Sequence, residues 1–229
     1  MPDPNRALLH EAAEKLAPLL DEIVFLGGVT LGLFITDPAA APIRPTRDVD
    51  VIAEIMTYVD YIAFSERLRK ERFTEDAGVD AIACRWHHED LILDVLPLRG
   101  EVLGYTNRWY EGALNHATRI QLESGTSIKV ITAPFFLGTK MEAFRGRGNN
   151  DYLSSRDLED FIAVIDGRET IVKEIEESPN EIGTYLAQAS GDLLSTSDFL
   201  DVLPGYVLDE GRAPIILARL KAFAQLSFR

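Results

Sequence analysis

Thr46-Arg47-Asp48-Val49-Asp50-Val51 sets two carboxylates at i and i+2 inside an apolar, β-branched run. Side chains two apart on an extended strand project to the same side, so the reading predicts Asp48 and Asp50 side by side on one strand face. Two anions about 7 Å apart repel unless something positive lies between them. A divalent cation holding a polyphosphate is a common reason to build such a pair. The bland alternative is a half-exposed strand with its acids in water and Val49, Val51 and Ile52 in the core.

Working outward, Glu22-Ile23-Val24-Phe25-Leu26 reads as a short buried strand, ended by Gly27-Gly28 and followed by a helical segment from Val29 to Phe34. Paired glycines between a strand and a helix let the backbone approach an anion and aim amides at it. They also serve simple tight turns. Thr30, in the first helical turn, offers a hydroxyl to the same ligand. Downstream, Leu91-Ile92-Leu93-Asp94-Val95-Leu96 places one acid inside a continuous apolar strand. A strand of that kind is buried on both faces, and an unpaired buried carboxylate costs on the order of several kcal/mol. Asp94 therefore requires a cation: a metal shared with Asp48 and Asp50 if the two strands are neighbours, or a side chain such as Arg85 or Arg99.

The remaining pattern predicts a first helix to about Leu20, capped by Asn5 or Asp3, and a partly basic helix from Tyr58 to Arg72. Strands are expected over Ala81 to Trp86, Leu91 to Pro97 and Ser127 to Thr132, the first two joined by a polar turn, His87-His88-Glu89-Asp90. Helices follow from Arg108 to Ala117 and from Pro134 to Arg145. Gly146-Arg147-Gly148-Asn149-Asn150 breaks the latter, and Ser154 or Ser155 caps a further helix ending at Asp166-Gly167. The rest is mostly helical, with breaks at Pro179 and Pro204-Gly205. Strands and helices mix first and helices dominate later. This predicts an α+β (mixed α/β) fold with a core over residues 1–132 and a helical C-terminal region over 133–229.

Composition narrows the function classes. The chain has 229 residues, 46% hydrophobic and 26% charged, enough to bury a substantial core. A net charge of −14 argues against a broad nucleic-acid-coating surface. Two local basic clusters, Arg67, Arg69, Lys70 and Arg72, and Lys140, Arg145 and Arg147, leave room for a small footprint. One cysteine, Cys84, excludes an internal disulfide and a multi-cysteine zinc site. His87-His88 beside Cys84 fits a turn between strands better than zinc. No apolar run is long enough to span a membrane, and the N-terminus lacks the order of a signal peptide. A cytoplasmic location is the expectation. The Gly-Gly turn lacks a full Gly-x-Gly-x-x-Gly, which sets aside a dinucleotide-binding oxidoreductase.

The ordered set of Gly27-Gly28, Asp48-x-Asp50 and a lone Asp94 in an apolar strand resembles the DNA polymerase β-like nucleotidyltransferase superfamily. Gly27-Gly28-Val29-Thr30-Leu31 with Arg44-x-Thr46-x-Asp48-Val49-Asp50 looks more narrowly like its AbiEii/AbiGii toxin-type branch. Lys140 followed by Arg156-Asp157-Leu158-Glu159-Asp160 resembles that branch's downstream motifs. The resemblance covers roughly residues 22 to 166, and a proline-rich loop at 37–45 lengthens the spacer before Asp48.

What the resemblance implies is a mixed sheet flanked by helices and a metal-dependent transfer of an NMP from an NTP to an acceptor hydroxyl. Asp48, Asp50 and Asp94 would hold two Mg²⁺ ions, with Asp94 a third ligand or the base. Gly27, Gly28, Thr30 and Arg47 would contact the nucleotide, Lys140 would neutralise phosphate, and Asp157 would orient Lys140 or the substrate. RNA, including a tRNA 3′ end, is the implied acceptor and an antitoxin the implied protein partner, with no membrane partner. From the residues themselves, Lys140 reads equally as a solvated helix position and Asp157 as part of a Ser154 capping box. The alternative function is a catalytically degenerate nucleotide-binding or interaction protein on the same fold.

Overall fold

The apolar residues on either side of Asp48 and Asp50 build the middle of a sheet. The computed structural model describes residues 3–78, 81–148, 150–207 and 209–228, and among these the sheet has seven strands. They are Ile23–Leu26 (β1), Asp48–Ala53 (β2), Thr74–Glu75 (β3), Arg85–His88 (β4), Leu91–Leu96 (β5), Thr118–Gln121 (β6) and Ser127–Val130 (β7), ordered β3-β4-β5-β2-β1-β7-β6. The central strand β2 runs antiparallel to β1 and parallel to β5, while β1 also pairs in parallel with β7. The sheet is therefore mixed.

Register divides its two faces by chemistry. Phe25 lies opposite Val51 and Val51 opposite Val95; Val49 lies opposite Leu93, which in turn faces Trp86. All of these side chains are fully buried, and they form the apolar face. The alternate residues, Leu26, Asp50 and Asp94, are also opposite one another, with Asp48 opposite Ile92. Period-two alternation thus puts the acids on the other face.

Among the described residues, four helices belong to the same compact unit, which spans Pro2–Gly32 together with Arg44–Thr132. These are Arg6–Lys15 (α1), Tyr58–Lys70 (α2), Gly100–Leu103 (α3) and Tyr110–Asn115 (α4). α1 packs on β2 and β5, and α4 on β1 and β2. A capping box between Thr57 and Asp60 starts α2.

Several local expectations shift. The first helix stops at Lys15, after which Pro18 sits in a short 3₁₀ turn, and the segment after Gly27 is a 3₁₀ helix, Gly28–Leu33. The four-residue turn expected over His87–Asp90 is a two-residue turn. His87 and His88 pair with Ile92 and Leu91, and Glu89 takes a positive φ of 54°. The strands β3 and β6 carry no apolar alternation and were not anticipated.

The second unit comprises Leu33–Ile43 and the chain from Ala133 onward. It holds Ala133–Arg145 (α5), Arg156–Gly167 (α6), Ile171–Glu176 (α7), Asn180–Ser195 (α8), Ser197–Val202 (α9) and Ala213–Gln225 (α10). α5 packs on α6 and α8, and α8 on α10. The amides of Thr36 and Asp37 donate to the Gly167 carbonyl at 2.8 and 2.9 Å, and Arg212 bonds both Asp37 and Asp166. These bonds explain why the proline-rich loop belongs with the helices. Of the break expected after α5, Asn149 lies outside the described residues. No helix among the described residues is long and apolar enough to cross a membrane.

Candidate functional site

Parallel pairing of β2 with β5 brings Asp48, Asp50 and Asp94 onto one face, with Asp50 opposite Asp94. Asp94 is 8% exposed, and its counter-charge is Arg85 on β4, the residue opposite it across the hairpin. Arg85 Nε donates to Asp94 Oδ1 at 2.8 Å and Nη2 donates to Oδ2 at 2.7 Å, a two-point fork of the kind guanidinium forms with carboxylate. The same Nη2 reaches Asp48 Oδ2 at 3.3 Å. One guanidinium thus serves two carboxylates, and the bond to Asp94 holds the Arg85 pKa above its ordinary value. Arg99, the other cation considered for Asp94, pairs with Glu111 instead at 3.1 Å.

Asp48 is the more open of the two, its side chain 37% exposed, and its Oδ1 accepts from the Thr46 hydroxyl at 2.7 Å. Asp50 lies against the glycine turn. Gly27 has φ +72°, and a Cβ built there would stand 1.9 Å from Asp50 Oδ2. Only glycine meets both conditions, the left-handed backbone and the close approach. A Cβ on Gly28 would meet Thr46 Cβ at 3.2 Å, so the second glycine lets the loop before β2 close on the turn.

Asn5 fastens that closure. Its side chain makes no cap bond to α1, although the residue holds the N-cap position. Its Nδ2 donates to the carbonyls of Gly28 at 3.2 Å and Arg44 at 3.1 Å, and its Oδ1 accepts from the Thr46 amide at 2.8 Å. At 1% exposure it is a buried three-point clamp between the glycine turn and the approach to Asp48. Sequence reasoning assigned Asn5 to helix capping, and an asparagine at a helix start gives no signal for this other use.

Thr30 is placed differently from the expectation of a hydroxyl facing a ligand. It is fully buried, and its Oγ1 donates to the Gly27 carbonyl at 2.9 Å, shaping the turn from behind. Arg47 is exposed, between Thr46 and Asp48. Cys84 is buried; burial, followed by the charge of Asp94, pushes its thiol up to about 11, which keeps it protonated near neutrality and unsuited to nucleophilic work.

Lys140 and Asp157 lie in the helical unit and form a cluster of their own. Lys140 Nζ stands 2.6 Å from Asp160 Oδ2 and 3.2 Å from Asp157 Oδ1. Arg147 adds bonds to Asp157 at 3.1 and 3.2 Å. Lys140 is buried rather than solvated, and the cap of α6 is Ser155, which accepts from the Leu158 amide at 3.3 Å; the Ser154 capping box does not form. Burial raises the Asp157 pKa, but Lys140 and Arg147 outweigh it and hold the carboxyl below its ordinary value. Asp160 is an additional member of this cluster, fully buried.

Asp48 and Asp50 present the hard oxygen donors that Mg²⁺ prefers. Asp94 does not add to them as it stands, because Arg85 holds it in a two-point fork and its side chain is 11% exposed, whereas Asp48 meets Arg85 at one oxygen and is 37% exposed. Accordingly, among the described residues no group of three or more His, Cys, Asp or Glu side chains is arranged to hold a metal ion. The basic clusters are locally compensated as well: Arg67 pairs with Glu22, Arg69 with Glu66 and Glu75, and Arg145 with Asp192.

No family model matches the sequence, and no curated protein does. Among solved structures, the chain is similar to an antigenic nucleotidyltransferase-like protein from Paracoccidioides brasiliensis. The identity is 18%, over 84% of this chain and 91% of that one, with a TM-score of 0.44. It is also similar to JHP933 from Helicobacter pylori, at 15% identity over 96% of this chain and 90% of that one, with a TM-score of 0.48.

Proposed function

We propose that this protein is a nucleotidyltransferase that moves an NMP from an NTP to an acceptor hydroxyl. The reading rests on one observation: Asp48, Asp50 and Asp94 share a sheet face, with Asp50 seated against a glycine turn of positive φ. In the reaction the acceptor oxygen bonds to the α-phosphorus, the α–β anhydride bond breaks, pyrophosphate leaves, and the proton of the acceptor hydroxyl passes to solvent. Gly27 and Gly28 bring the backbone close to the phosphates, while Asp48 and Asp50 are the groups to carry Mg²⁺ with the nucleotide. A bound divalent ion supplies charge neutralisation and in-line orientation of the triphosphate.

RNA, in particular a tRNA 3′ end, is the acceptor class proposed, with a toxin role and an antitoxin partner following from the branch resemblance. A net charge of −14 favours an acceptor held by few phosphate contacts. The test is incubation of the purified protein with labelled NTPs, Mg²⁺ and a tRNA pool. Transfer of label to RNA, lost in Asp48→Asn, supports the reading, whereas absence of both transfer and NTP binding removes it.

A second reading is favoured by the Arg85 fork: a degenerate member of the fold that binds nucleotide or a protein without catalysis. Calorimetry separates the two. NTP binding that requires Mg²⁺ and disappears in Asp48→Ala belongs to the enzyme, and metal-independent binding to the degenerate form.

A further inference from the structure

The cation that buried Asp94 requires is already part of the chain. The two-residue turn at Glu89-Asp90 fixes the β4/β5 register and so sets Arg85 opposite Asp94. Both oxygens of Asp94 accept from the guanidinium, and one oxygen of Asp48 accepts from it too. The other Asp48 oxygen accepts from Thr46. Arg85 therefore bridges two of the three carboxylates that a pair of divalent ions would need. A metal ion and a guanidinium compete for the same lone pairs, and the fork is well placed to win. Its side chain is only 21% exposed, its geometry is two-point, and its charge is permanent.

We propose that Arg85 takes the place of the second cation, so that the site accepts a single divalent ion at Asp48 and Asp50 while Asp94 is held by the guanidinium. This inference rests on the nucleotidyltransferase reading and deepens it. Arg85 is then a positioning residue. It fixes the Asp94 carboxylate on the sheet face and supplies a permanent positive charge there.

The test counts Mn²⁺ per chain by titration with electron paramagnetic resonance of the free ion, in the presence of a non-hydrolysable NTP analogue. The wild-type chain is expected to bind one ion. Asp94→Asn is expected to bind one as well, because Asp94 is not a ligand in the resting site. Arg85→Gln frees Asp94 and is expected to bind two, with Mn²⁺ raising its melting temperature by several degrees more than it raises the wild type's. If the bare Arg85→Gln chain does not fold, the wild-type and Asp94→Asn counts decide the question. Two ions in the wild type, a lower count in Asp94→Asn, or one ion in folded Arg85→Gln overturns the proposal and leaves the transferase reading standing. No ion in any form, with NTP analogue present, overturns both.

Discussion

Two clusters of acids and cations in this molecule are built to different specifications. On the sheet, Asp48 and Asp94 share one guanidinium, and Asp48 stays partly open to solvent. Among the helices, Asp157 and Asp160 are met by Lys140 and Arg147, with the lysine and both acids buried. The helical cluster sets a buried lysine and a solvent-facing arginine against two buried acids, which is how a fold keeps ions inside. The sheet cluster sets two acids on Arg85 and keeps one of them partly in solvent, where a charge costs less to hold. The motif resemblance gave both sets of residues the same status, and geometry separates them.

That contrast can be broken most directly at Lys140. Lys140→Met removes a cation from two buried acids and is expected to lower the unfolding free energy by about 3–5 kcal/mol, read from urea midpoints. At the sheet the cost should fall on chemistry instead. Asp48→Asn is expected to reduce nucleotidyl transfer by about 10³-fold, roughly 4 kcal/mol of barrier, with the melting temperature unchanged or raised. A large loss of stability in Asp48→Asn would erase the distinction between the two clusters.

Asn5→Ala leaves two carbonyls and an amide without their clamp and should cost about 1–3 kcal/mol. It should also weaken NTP binding while Asp48 and Asp50 remain in the chain, measured by calorimetry beside thermal melts. A pH series sharpens the helical side. The folded Asp157 carboxyl lies below its ordinary value, so the unfolded chain binds the proton more readily. Its contribution is fully present above about pH 4, the ordinary aspartate range, and is lost as pH falls through the folded value. Thermal melts between pH 6 and pH 3 should therefore decline more gently in Asp157→Asn than in the wild type. The smallest effect is expected at Ser155→Ala, a lost helix cap worth about 1 kcal/mol.

The central strands were legible because their signal is strong: Ile23–Leu26 is wholly apolar, and Asp48–Ala53 and Leu91–Leu96 are apolar apart from their aspartates. The shared face of the acids followed from period two alone. What escaped notice depends on register and on non-local bonds. A four-residue turn at 87–90 would set Ala83 opposite Asp94, whereas the observed two-residue turn sets Arg85 there, so turn length decides between Arg85 and Arg99, the two side-chain cations the sequence offers to this acid. The strand Thr118–Gln121 is mostly exposed and lies at the end of the sheet beside β7, so no apolar alternation announces it. Asn5 was invisible in its true role because its partners are 23, 39 and 41 residues away. Thr30 shows the converse: a residue type suited to a ligand, turned inward onto the Gly27 carbonyl.

The Asn5 clamp has a practical corollary. The side chain that ties the glycine turn to the approach of Asp48 sits ahead of the first helix, in a stretch that expression designs often treat as expendable. A chain cut back to Arg6 would keep Asp48, Asp50 and Asp94 yet lose the side chain that fastens the turn beside them.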